Sequence, residues 1–155
     1  MQGRLHVGIN TDYFRVASDE LAALLLDGGP AEVVPADAMV EAKGLDPTVE
    51  MGSLEEILTG QDYDTVVGNP RQGLTLASDD EGVFVVAITA ELRDALAAAD
   101  EARLRTAAAE LAATEELHLS DQEDIAALAD VLVALAGLAR GARERGEGMY
   151  CWMCL

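Results

Sequence analysis

The residues with the most chemical potential stand at the end of the chain, where Cys151 and Cys154 form a C-x-x-C spacing inside the run Tyr150, Cys151, Trp152, Met153, Cys154, Leu155. Two thiolates so spaced can share a metal ion or close a redox disulfide on a turn or at a helix N-terminus, where the helix dipole lowers a thiol pKa. Only Leu155 follows Cys154, which leaves no room for such a helix. If the run is extended instead, three strand steps of about 3.3 Å put the two residues about 10 Å apart with side chains on opposite faces. A disulfide needs Cα atoms within about 7 Å, so an extended tail predicts two buried structural thiols. Metal or redox use of Cys151 and Cys154 is the alternative, and it requires the tail to leave the sheet and fold as a turn.

A second group is polar: Asp12, Tyr13 and Arg15 near the start, and Glu41 and Lys43 further on. They are expected to converge at one end of a sheet. Lys43 is the only lysine in the chain, and Glu41 two residues earlier gives it an ion-pair partner on the same strand face. These five residues are therefore either a structural pair with neighbours or a small binding site. No nucleophile elbow, P-loop, dinucleotide glycine fingerprint or H-E-x-x-H helix occurs, so no residue is assigned a catalytic role and no cofactor is expected. His6 and His118 stand far apart in the sequence. The acidic turn Asp79, Asp80, Glu81 lacks the spacing of a calcium loop.

The elements that would position these groups follow from periodicity and caps. Leu5, Val7 and Ile9 alternate with polar residues as in a strand, which resumes at Tyr13, Phe14 and Val16. Ser18 caps a helix running to Leu26, with Leu21, Leu24 and Leu25 facing inward and Asp27, Gly28, Gly29, Pro30 stopping it. A short strand is expected near Met39 to Ala42. Ser53 and Glu56 match a capping box for a short helix ending at Gly60, after which Gln61 to Ser78 reads as a long loop with extended pieces at Thr65 to Val67 and Leu74 to Leu76. Val83 to Ile88 is a continuous, mostly β-branched run suited to an inner strand. Thr89 and Asp100 cap two further helices, and Ser120 with Glu123 opens the longest, whose Ile125, Leu128, Leu132, Leu135 and Leu138 share a face. Arg140, Arg143 and Arg145 suit the negative end of that helix. The final uncharged run cannot alternate wet and dry faces, so it should be a strand covered on both sides.

Length and composition complete the expectation. With 155 residues, half of them apolar, the chain can bury one sizeable core. It carries 10 cationic and 29 acidic residues, a formal charge of −19, which repels nucleic acid and anionic lipid. A basic protein is the partner that such a surface would favour, and the charge suits a monomer or a small homo-oligomer. Two cysteines, no leader-like apolar stretch in Met1 to Val7 and no spanning run predict a cytoplasmic protein.

The early strand ending in Tyr13 and Phe14, the Leu58, Thr59, Gly60 helix end, the Val83 strand and the long helix leading to an apolar tail resemble the YfbM-like family of small bacterial proteins. With Glu41, Ala42, Lys43, Gly44 and the Cys-Trp-x-Cys ending, the chain also resembles a set of small uncharacterised actinobacterial proteins. Both resemblances imply an α+β fold, and neither brings a catalytic residue to any position. The expectation is a single α+β domain over residues 1 to 155, a mixed β-sheet with the C-terminal strand inside it and helices packed against it. Its expected role is non-catalytic protein binding, regulatory or inhibitor-like.

Overall fold

A computed structural model of the chain describes residues 10–155, and the alternating stretch from Leu5 to Ile9 lies outside the described residues. The strands are β1 (Asn10–Val16), β2 (Met39–Glu41), β3 (Thr75–Ser78), β4 (Val83–Ala87) and β5 (Gly148–Cys154). They form one sheet in the order β2-β1-β5-β4-β3. The uncharged tail is thus the central strand. It pairs with β1 from Asn10↔Cys154 to Val16↔Gly148 and with β4 from Val83↔Cys154 to Ala87↔Tyr150. All four pairings are antiparallel, so the sheet is antiparallel where a mixed one was expected. Hydrophobicity located the strands but carried no information on their direction.

Alternation along β5 divides the core in two. Met149 and Cys151, with Tyr13 of β1, belong to the larger cluster, which is built from α2 (Val49–Thr59), α4 (Ala90–Ala98), α5 (Glu101–Ala112) and α6 (Gln122–Arg145). Tyr150 and Trp152, with Phe14, Val85 and Ala87, face the other way, where, among the described residues, α1 (Asp19–Ala23), the chain after it and Arg71 over the Tyr150 ring provide cover.

On the larger face, α6 does most of the packing. Leu128, Leu132, Leu135 and Leu138 are at most 2% exposed, and the interleaved Ala129, Ala136, Ala139 and Ala142 let neighbouring helices approach closely. By length and composition α6 could cross a membrane, yet these are the residues on which the core is built. Its N-cap is Asp121, which accepts from the Glu123 amide, one position later than the expected Ser120. Gly146 at φ +67° ends it, in a left-handed conformation that favours glycine.

Three local expectations are corrected. Ser53 lies inside α2, and the start of that helix is organised upstream, where Asp46 Oδ1 accepts from the amides of Thr48 and Val49 while Glu50 Oε1 accepts from the Asp46 amide at 3.0 Å. Thr65 to Val67 is helical, within α3 (Tyr63–Val67), because Asp62 caps the Thr65 amide at 2.8 Å and Val66 is buried, which outweighs β-branched propensity. Finally, α1 stops at Ala23, with Ser18 as its cap as expected. Its buried side is Ala22, followed by Leu25, while Leu21 and Leu24 are 47% and 75% exposed.

Candidate functional site

The two cysteines occupy opposite faces of β5, at an odd and an even position of one strand. Cys151 is enclosed beneath the helices and Cys154 is half-buried, and both are free thiols. Burial pushes the Cys151 thiol well above its usual range, and a hydrogen bond with Tyr13 only partly opposes this. Tyr13 is itself fully buried and donates to the Leu45 carbonyl at 2.5 Å. A protonated thiol without solvent access is a poor nucleophile and a poor ligand.

Asp12, Glu41 and Lys43 do come together. Asp12 and Glu41 are directly opposed across the β1–β2 pairing, and with Lys43, Asn10, Thr11 and Trp152 they line a cavity of about 290 Å³. Burial and then the Glu41 charge raise the Asp12 pKa, as expected of facing carboxylates. Lys43 stands in the turn after β2 and not on the strand, so it does not share a strand face with Glu41. Tyr13 and Arg15 are not part of this group. Both point to the helix-covered face, where Arg15 lies at the far end of β1.

Arg15 is only 7% exposed. It donates to Glu147 Oε1 at 2.7 Å and lies 3.7 Å from Asp37, and Gly141 of α6 packs against it so closely that a Cβ there would come within 2.9 Å of its Nε. This paired guanidinium forms one end of a cleft of about 750 Å³ between the end of β1, α1 and the segment ending at Ala38. Val16, Leu25 and Val34 form its base, and Leu21, Leu24 and Val33 stand at its rim. Asp37, Arg145 and Glu147 complete its polar end.

Two contacts hold this cover on the sheet. Asp19 of α1 accepts from both terminal nitrogens of Arg71 at 2.8 and 3.0 Å and from the Tyr150 hydroxyl at 2.7 Å. The Arg71 hydrogen bonds in particular lower the Asp19 pKa to about 2, while burial and Asp19 push Tyr150 up to about 12. The Trp152 indole donates to the Leu26 carbonyl at 2.9 Å, and Gly29, at φ +76°, approaches its ring so closely that a Cβ would sit at 3.1 Å.

The cleft is not apparent from the sequence, in which Leu21 and Leu24 read as core positions. Leu21, Leu24 and Leu25 at i, i+3 and i+4 fit one core stripe, and nothing before Asp27 in the sequence marks the end of the helix at Ala23. Residues 17 to 42 contain no lysine or arginine and carry Asp19, Glu20, Asp27, Glu32, Asp37 and Glu41, while the lining of the cleft itself sets Arg15 and Arg145 beside Asp37 and Glu147. In comparisons with protein-family models, curated proteins and solved structures, nothing matches this chain.

Proposed function

We propose that this chain is a non-catalytic protein-binding domain of the cytoplasm, regulatory or inhibitor-like, whose acidic surface recognises a basic protein. The observation that carries the reading is the charge: −19 overall, with no lysine or arginine between residues 17 and 42, part of which borders an open apolar cleft. Such a field steers cationic partners inward and repels nucleic acid and anionic membranes. The proposal takes the chain as a monomer or small homo-oligomer in the free state. Metal or redox use of Cys151 and Cys154 would need the central strand to leave the sheet, and no observation favours it.

The test is capture by the immobilised full chain from native lysate of its source organism, at low and at high salt. The expected result is retention of a basic protein that elutes as salt shortens the Debye length from about 8 Å towards 3 Å. An empty capture at low salt removes the reading's main support.

A further inference from the structure

We infer that the outer face of α6 is the contact surface between two copies of this chain, packed antiparallel about a two-fold axis. This does not depend on a basic partner, and it uses the side of the helix turned away from the core. An 18-residue stretch of α6 is apolar enough to span a membrane, yet only 44% of it is buried. A helix that is apolar on every side is normally covered on every side. From Ala126 to Ala139 the exposed residues are Ala126, Ala127, Asp130, Ala134 and Gly137, a stripe at helical spacing that carries one charge.

Within that stripe, Gly137 has no role inside its own chain. Glycine in a helix interior is less stable than alanine. Gly141 has an internal reason, since Arg15 occupies the space its Cβ would need, whereas a Cβ at Gly137 would meet nothing within 4 Å. A backbone left bare on the outside suits a second helix at close range, because the side chains at the crossing set the distance between helix axes.

Charge selects the second copy as the occupant. Arg140, Arg143 and Arg145 are exposed and form no ion pair, whereas the other arginines among the described residues all do. Asp121, Glu123, Asp124 and Asp130 make the other end of the same helix acidic, and Glu144 is the one acid among the arginines. A parallel pair would set like charges together. An antiparallel pair brings each acidic half to a basic half, twice over, as an isologous contact requires. Asp130 and Arg140 stand about 15 Å apart along the helix, so a two-fold axis midway, beside Ala134 and Gly137, sets Asp130 of each copy opposite Arg140 of the other. Arg105 already reaches Asp130 at 3.2 Å, but that carboxylate is 72% exposed and keeps room for a second donor.

Beside the basic half, a hollow of about 490 Å³ adjoins Gly137, with Arg15, Arg140 and Arg145 against Asp37 and Glu144 in its lining. Arg15 is 7% exposed there, and its Nε has no hydrogen-bond partner among the described residues. The same two-fold brings the acidic first turn of α6 from the second copy to this end. A membrane fits the face less well, because Asp130 and Arg140 would be carried towards lipid, where charge is costly.

Sedimentation equilibrium of the full chain over a concentration series tests the contact. The expected result is a reversible dimer of twice the chain mass. Gly137→Leu should weaken it at least roughly tenfold while melting no lower than the parent, since leucine is the better helix former and the site is open. Arg140→Asp and Asp130→Arg should each weaken it by a similar factor, and the chain carrying both should return to within roughly threefold of the parent. A parent still monomeric at about 1 mM would overturn the inference. So would a dimer indifferent to Gly137→Leu, which places the contact elsewhere, or a double variant no better than the single ones, which removes the antiparallel pairing. A monomer that binds neutral phosphatidylcholine vesicles through this face, with binding lost in Gly137→Asp, would replace the second copy with a lipid surface.

Discussion

On one side of β5, Met149 and Cys151 lie beneath four helices whose facing residues are almost wholly excluded from solvent, and on the other side Tyr150 and Trp152 lie beneath a five-residue helix and an irregular segment. The same strand, with the same alternating pattern, therefore supports a deep core and a shallow one. The deep side is held by apolar area and close packing, which are non-directional and cooperative. The shallow side relies on directional contacts: Asp19 with Arg71 and Tyr150, and the indole of Trp152 with the Leu26 carbonyl. This division leaves Leu21 and Leu24 of the thin cover exposed, outside both cores.

The largest effect expected from this asymmetry comes from matched leucine truncations. Leu135 is fully buried in the helix-covered cluster, and Leu135→Ala should destabilise by about 2–5 kcal/mol through lost transfer energy and the cavity left behind. Leu24→Ala should fall within about 0.5 kcal/mol, because the side chain is 75% exposed. Denaturant melts of both variants against the parent test the pair. Equal costs would mean that Leu24 is buried in solution and that the cleft is closed.

A smaller effect probes the polar anchor of the shallow side. The Asp19 carboxyl titrates at about 2 in the fold against an ordinary 3.8, so its stabilisation is complete above the ordinary value and disappears as pH falls through the folded one. Tyr150 is raised from 10.0 to about 12, so its neutral hydroxyl contributes below pH 10 and is lost as pH rises towards 12. Asp12 and Glu55, both raised by burial, push the acid limb the other way, which is why the comparison must be parent against Asp19→Asn at each pH. Asp19 is 38% exposed, so screening should limit the loss at pH 7 to about 1 kcal/mol, shrinking further between pH 4 and pH 2. A constant difference across that range would detach the anchor from Asp19 ionisation.

Much of the deep side was legible in the sequence. The face of α6, the Thr89 and Asp100 caps, the β4 run and the central place of the tail all follow from local patterns that agree with the tertiary fold. The shallow side was less so, because there local signals compete. Leu21, Leu24 and Leu25 look like a core stripe until the helix ends at Ala23, and Thr65, Val66, Val67 look extended until Asp62 caps them. Within the candidate site, period-2 alternation already separates Asp12 from Tyr13 and Arg15, and register then joins Asp12 to Glu41. The cleft depends on how the segment after Pro30 folds back, and no short-range pattern specifies that.

The two thiols sample the two sides from one strand, and the smallest effect belongs to Cys154. Cys154→Ser should change stability by no more than about 0.5 kcal/mol, since the site is half-buried and on the shallow face. Cys151→Ser buries a hydroxyl in a dry cluster and should cost about 1–3 kcal/mol. Labelling gives an independent measure. In the native state Cys154 should react with a small maleimide while Cys151 stays protected, because its thiol is enclosed and burial keeps it protonated. Denaturation should then release a second equivalent. Equal native labelling of both would require the tail to leave the sheet at little cost, erasing the contrast between the two faces and moving the search for function to Cys151 and Cys154.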